Sequence, residues 1–313
     1  MNGALTLTVG DFERALGVAA GALPAALQDR IRAADFRYEP LTPAERDAVI
    51  LAVTKRVDSG ELSRVGEHRQ AVWEKGWEEN LDAFAGKGFA LESLVPRFFR
   101  PEPIVRLRQD YVRAGDAKFE FHFHDILRRW LFAEFMAGAD AVYEFGSGSA
   151  YNLVAFAGEA RRGMKFVGLD WAESAVRLTD LVGRTHGLTL TGRRFDFFHP
   201  DESLEIGPGD VALTISALEQ VGARHGEFLD FLLRKRPKVC VHMEPMLDLY
   251  DPENLADYLA IRFHTARNYL SGFLGRLRQL ETERKIEIMK VHRAEFGSLY
   301  HESYSLVVWR PRG

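Results

Sequence analysis

The sequence predicts an α/β protein: a mostly parallel sheet covered by helices on both faces, with a long helical region in front of it. Three observations carry this expectation. From Ala141 onward short β-rich runs alternate with stretches of helical spacing, the pattern that right-handed crossovers turn into a parallel sheet. Before about residue 138 apolar residues recur at intervals of three and four, as on amphipathic helices. The chain has 313 residues and is 46% apolar, enough for one large core or two moderate ones.

In chain order, DFERALGVAAGALPAALQDRIRAA from Asp11, TPAERDAVILAVTKRV from Thr42 and ELSRVGEHRQAVWEKGWEENLDAF from Glu61 have helical spacing. Thr42, followed by Pro43 and then Glu45, has the makeup of a helix start. Near Phe119 the rhythm changes: FEFHF alternates as a strand would, and HDILRRWLFAEFM resumes helical spacing as far as the turn at Gly138. Strands are expected at 141–145, 165–170, 188–196, 210–216 and 238–244, with helices around 151–160, 172–186 and 225–233. One long helix is expected over about 252–281. Two final runs, KIEIMKVHRAEF and SYSLVVWRP, are expected to pair antiparallel through GSLYHE. No internal repeat or low-complexity linker is present, so the change near residue 138 reads as a functional division. Residues 1–137 are then a helical lid or substrate region, and 138–313 the ligand-binding unit.

Composition narrows the partners. The formal charge of −4 offers no broad field for nucleic acid or anionic lipid. Cys240, the single cysteine, cannot form an internal disulfide and sits in the apolar run KVCVHM, where a small buried thiol in a reducing cytoplasm fits. The start MNGALTLTVGDFERAL has acids before any basic segment, and no apolar run reaches the ~18 residues of a membrane helix, so neither export nor insertion is expected. A cytoplasmic protein is the expectation, with a homo-oligomer left open.

The stretch VYEFGSGSAY, 142–151, places Gly146 and Gly148 directly after an apolar run. Glycines there let backbone N–H groups approach a ligand closely. A dinucleotide fingerprint would require a third glycine where Tyr151 stands. Glu144 would repel a pyrophosphate but attract an ammonium group. Asp170, ending the second strand, can accept both hydroxyls of a ribose, and Asp196 with Phe197 offers an acceptor for an exocyclic amine beside a flat apolar wall. Taken singly, Asp170 also reads as a helix cap and Phe197 and Phe198 as core residues. Their joint order points to a ligand with an amino-acid end, a ribose and an adenine but no phosphate, which describes S-adenosylmethionine. Ser147, Trp171 and Ser216 complete the expected cofactor-binding set.

On EFGSGSA at 144–150, GLD at 168–170, RFDFF at 194–198, TISALEQVG at 214–222 and the closing hairpin, residues 138–313 resemble the class I S-adenosylmethionine-dependent methyltransferases. Ala150 stands where many members carry glycine. The resemblance implies a Rossmann-like seven-stranded mixed sheet, order 3-2-1-4-5-7-6 with strand 7 antiparallel, and cofactor at the carboxyl ends of strands 1 to 4.

Methyl transfer is an in-line displacement, so positioning supplies much of the rate, and a base matters when the acceptor is a hydroxyl. His242 and Glu244 alternate along a strand end and are the preferred base and orienter, with a core histidine as the ordinary alternative. Glu219 after the fourth strand and His301, beside Glu302 in LYHES, are further catalytic candidates. Arg262 and Tyr269, two helical turns apart in the long C-terminal helix, and Tyr250 are the expected substrate-binding residues. His122 and His124, alternating in FEFHF beside Asp125, are a weak metal pattern, and no metal is expected. Trp73 and Trp77, four apart, read as core packing. The function expected is O-methylation of a small hydroxylated metabolite, a sugar or a natural product, with a general likeness to sugar O-methyltransferases. N-methylation of a small amine and modification of protein or RNA are the alternatives.

Overall fold

A computed structural model of the chain describes residues 3–96 and 103–312. The front region begins with β1 (Leu5–Thr6), α1 (Val9–Leu16), α2 (Ala25–Ala33), β2 (Arg37–Pro40), α3 (Pro43–Asp58) and α4 (Gln70–Gly86). It continues with β3 (Ile104–Leu107), β4 (Asp110–Ala114) and α5 (Phe119–Leu131). Thr42 starts α3 as expected, its hydroxyl accepting from the Glu45 N–H while the Glu45 carboxylate accepts from the Thr42 N–H at 2.8 Å. Two expectations fail here. The region is not purely helical, because its four strands build a sheet. FEFHF is the start of α5, whose Phe119, Phe123, Ile126, Leu127 and Trp130 are buried at helical spacing. The two-residue alternation of FEFHF was too short to outweigh the longer period that continues it. A π-helical turn, Phe132–Met136, extends α5.

The second region contains β5 (Ala141–Phe145), α6 (Tyr151–Ala157), β6 (Lys165–Asp170), α7 (Glu173–His186), β7 (Leu190–Arg194), β8 (Val211–Ile215) and α8 (Gly226–Lys235). Then come β9 (Val239–Glu244), α9 (Leu255–Arg267), α10 (Phe273–Thr282), β10 (Ile286–His292), β11 (Phe296–Gly297) and β12 (Ser305–Pro311). The seven-stranded sheet has the order β10-β12-β9-β8-β5-β6-β7. Neighbours from β7 to β9 are parallel, whereas β12 runs antiparallel to both β9 and β10. These numbers differ from the expected ones because other strands precede and interrupt the sheet. Counted within the sheet alone, from the β7 edge, they read 3-2-1-4-5-7-6. The single long C-terminal helix is corrected to two: Asn268 adopts a left-handed conformation, φ 57°, and ends α9 before α10 begins. Cys240 is buried in β9, as expected.

The two regions share structure. Between β10 and β12 the chain makes β11, which pairs with β3 in a front sheet ordered β1-β2-β4-β3-β11. The Phe123 and Phe296 rings stack there with centroids 3.9 Å apart. Beneath the junction lies a buried ion network. Arg106 donates to Asp257 at 2.9 Å, and Arg293 donates to Asp257 at 2.6 Å and to both oxygens of Glu302. Such charges are stable out of water only when each has its partner, so the network fixes β3, α9 and the 298–304 loop relative to one another. Gly297 permits the loop to fold back: a Cβ there would lie 2.3 Å from the His301 carbonyl oxygen.

Candidate active site

The tips of β5 and β6 hold the two acids that the sequence singled out. Gly146 and Ser147 donate backbone N–H groups to the Leu169 carbonyl at 2.6 and 3.0 Å, which bends the chain sharply after β5. Gly146 and Gly148 have φ of 76° and 51°, and both sit where no side chain fits. A Cβ on Gly146 would lie 2.3 Å from the Ala217 Cβ, and one on Gly148 would lie 2.4 Å from the Trp77 ring.

Glu144 is buried, accepting from Asn152 at 2.7 Å through one oxygen, while its other oxygen has no partner among the described residues. Burial pushes its carboxyl up to about 8. The Asp170 carboxylate accepts from the Gly148 and Ala172 N–H groups, each at 3.0 Å. Burial still raises it, to about 6, against those hydrogen bonds.

From these acids a cleft opens in two directions. The outer part, about 530 Å³ with its mouth, is lined by Asp170, Trp171, Phe195, Phe197, Phe198, Ser216 and Ala217. The inner part is larger, about 1400 Å³ with its mouth, and takes in Glu144, Ser147, Glu219, Arg267, Tyr269, His301 and Tyr304. Trp73 and Trp77 of α4 border both parts, their rings stacked with centroids 6.0 Å apart. Glu74, between them on the same helix, accepts from the Glu173 and Ser174 N–H groups at 2.8 and 2.9 Å. It thereby caps α7 from outside, where Ala172 has no side chain to do so.

The inner cavity has its own titratable groups. Glu219, on the short turn after β8, is buried and accepts from Gln220 at 2.8 Å. Burial, and then the neighbouring Glu244, push it up to about 8. His301 is buried, 3.2 Å from His264 between ring nitrogens, and desolvation holds it well below the usual histidine range. Arg267 donates to the Tyr269 hydroxyl at 3.1 Å.

Several expected site residues lie elsewhere. His242 is fully buried in the sheet, with Thr214 Oγ1 2.9 Å from Nδ1 and Trp309 Nε1 donating to Nε2 at 3.0 Å. Burial lowers it to about 3, and it lines neither part of the cleft. Glu244 is buried too, accepting from the N–H groups of Ala217, Leu218 and Glu219 and so holding the turn that presents Glu219. Neither lines the cleft. Asp196 turns back on its own loop, accepting from the Phe198 N–H at 2.9 Å and pairing with His199, and is absent from the cleft lining.

Arg262 pairs with Asp58 on the surface, and Tyr269 lies beyond the end of α9, so the two share no helical face. The Tyr250 hydroxyl is held by the backbone of Glu302, accepting from its N–H at 3.0 Å. His122 and His124 are on a helix, and no cluster of metal-ligating side chains occurs among the described residues. The sequence reading did not place Arg69, Trp73, Trp77 or Tyr304 at the cleft. The four-residue spacing of the two tryptophans was visible but gave no hint of a cavity beneath them.

No family model matches the chain, and no curated protein does. Solved structures do. The cyclase SpnF is similar with a TM-score of 0.50 at 11% identity, over 80% of this chain and 98% of that one. A geranyl diphosphate methyltransferase in complex with GPP and sinefungin gives 0.48 at 11% identity, over 77% and 98%. N,N-8-amino-8-demethyl-D-riboflavin dimethyltransferase (RosA) from Streptomyces davawensis gives 0.45 at 14% identity, over 62% of this chain and only 56% of that one. The likeness is one of fold.

Proposed function

We propose that this chain is an S-adenosylmethionine-dependent methyltransferase acting on a small hydroxylated molecule. One observation carries the reading: a glycine cradle flanked by Glu144 and Asp170 opens on one side to an aromatic slot and on the other to a larger cavity that carries Glu219, Arg267 and His301 among mostly apolar walls. The residues fit the cofactor. Glu144 has a buried oxygen without a partner, suited to an ammonium group, and the Ser147 hydroxyl beside it is also unpartnered. Asp170 stands next to the slot of Trp171, Phe197 and Phe198, suited to a ribose followed by a flat base.

Bound there, S-adenosylmethionine supplies an electrophilic methyl group. The chain's own residues do the rest. Trp73 and Trp77 border both parts of the cleft, and the 298–304 loop lines the inner part on the other side. Glu219 takes the proton that the acceptor hydroxyl loses as its oxygen bonds to carbon, the role that the sequence reading gave first to His242. Tyr269 and Arg267 orient the acceptor against it. A mass-spectrometric screen of metabolites with isotopically labelled cofactor tests this. A metabolite gaining one CH₂ unit at an oxygen is the expected result, and a protein that binds the cofactor but alkylates no small molecule would overturn it.

A further inference from the structure

Among the described residues the buried Arg106 and Arg128 each have a carboxylate partner, Asp257 and Asp125, and the half-buried Arg293 has Asp257 and Glu302. Two half-buried arginines lining the inner cavity have no such partner. Arg69, at the end of the turn leading into α4, and Arg267, at the end of α9, make no salt bridge among the described residues. Each has a buried Nε–H with no acceptor. They come from segments far apart in sequence, yet both act electrostatically on the Tyr269 phenol, so their charges converge on one wall of the cavity. Burying unpaired guanidinium N–H groups is costly, and a bound anion removes that cost through short, charge-assisted hydrogen bonds. Glu219 forms no salt bridge with either arginine among the described residues, and burial pushes its carboxyl up although Arg267 acts to lower it.

Resting on the reading of this cavity as the acceptor chamber, we infer that the methyl acceptor carries an anionic oxygen group, a carboxylate or a phosphate ester, held by Arg69 and Arg267. Tyr269 holds the Arg267 guanidinium in place, accepting a hydrogen bond from it and lying beneath it with the ring centroid 4.9 Å away. The aromatic wall of Trp73 and Tyr300 then receives the body of the molecule.

Binding of simple probes to the full chain separates this inference from methyl transfer. Benzoate, phenyl phosphate and benzamide are titrated calorimetrically into the wild type, Arg69→Met, Arg267→Met and, as a surface control, Arg262→Met. S-adenosylhomocysteine is titrated in a separate arm. The expected result is that at least one anion binds about tenfold or more tightly than benzamide. That preference should disappear in Arg69→Met or Arg267→Met and persist in Arg262→Met. Which anion wins distinguishes a carboxylate acceptor from a phosphate one. Equal binding of anions and amide, no saturable binding of any probe, or a preference that both variants retain would overturn the inference. Failure of S-adenosylhomocysteine to bind would sink the methyltransferase reading alone, leaving the charge-selectivity result to stand. Loss of preference is a readout that a merely destabilised variant does not produce, because both probe classes would then weaken together.

Discussion

The two halves of the cleft are built differently. The cofactor half rests on neighbouring strand tips: Glu144 and Asp170 end adjacent parallel strands, and the loop that joins their chemistry, 146–148, follows one of them directly. The acceptor half is assembled from α4, α5, the start of α6, the turn after β8, the end of α9 and the 298–304 loop, segments scattered over the chain. A site made from consecutive strand ends leaves its acids at intervals that a sequence displays. A site made by convergence does not, and its members look like ordinary helix and loop residues until the fold brings them together.

The comparison can be broken most sharply at Glu219. Glu219→Gln should reduce kcat by about 10²-fold or more while leaving S-adenosylhomocysteine affinity unchanged, as measured by steady-state kinetics and calorimetry. In the wild type the rate should rise with pH through about 8, the value to which burial raises this carboxyl, and the variant should lose that rise. The next largest effect is expected at His242. His242→Ala leaves the Trp309 and Thr214 side chains without their buried partner and opens a cavity, so urea unfolding should show a loss of about 3 kcal/mol. Its kcat per folded molecule should stay at the wild-type level; a drop matching that of Glu219→Gln would restore His242 as the base.

On the cofactor side, Asp170→Ala should weaken S-adenosylhomocysteine binding by about 1 to 3 kcal/mol, with anion probes unaffected, as read by calorimetry. The smallest effect is on stability. Glu144, Glu219 and Glu244 are raised in the folded protein to about 8, 8 and 7, so between about pH 6.5 and 8 the folded state holds protons that the unfolded state has released. Their stabilising contribution is complete below the ordinary carboxylate range and is lost as pH rises through those values. The buried histidines His124, His242 and His264 are lowered and act in the opposite direction, but only as pH falls below about 6.5, where the unfolded chain takes up protons. The ligand-free protein should therefore melt progressively lower from pH 6.5 to 8. Glu144→Gln should flatten that slope by up to about 1.4 kcal/mol per pH unit.

What was legible in the sequence follows the same division. β5 and β6 were bounded correctly because each is a short, mostly apolar run with an acid at or next to its last residue, and glycines follow β5 directly. The capping box of α3 was equally local. His242 misled because alternation reports that two side chains share a face, whereas both faces of a central parallel strand are buried, so neither face need be the site. Arg262 and Tyr269 misled because nothing local marked Asn268 as the left-handed residue that ends α9. The front sheet was invisible for a different reason: its β11 edge is two residues long, drawn from the link between β10 and β12.

The account depends on Glu144 meeting an ammonium group at the glycine cradle. Calorimetric titration of S-adenosylhomocysteine at pH 7, in two buffers of different ionisation enthalpy, measures that contact through the proton it displaces. One-site binding with release of about one proton, abolished in Glu144→Gln, is the predicted result. No binding, or binding whose strength and proton release Glu144→Gln leaves untouched, would contradict it.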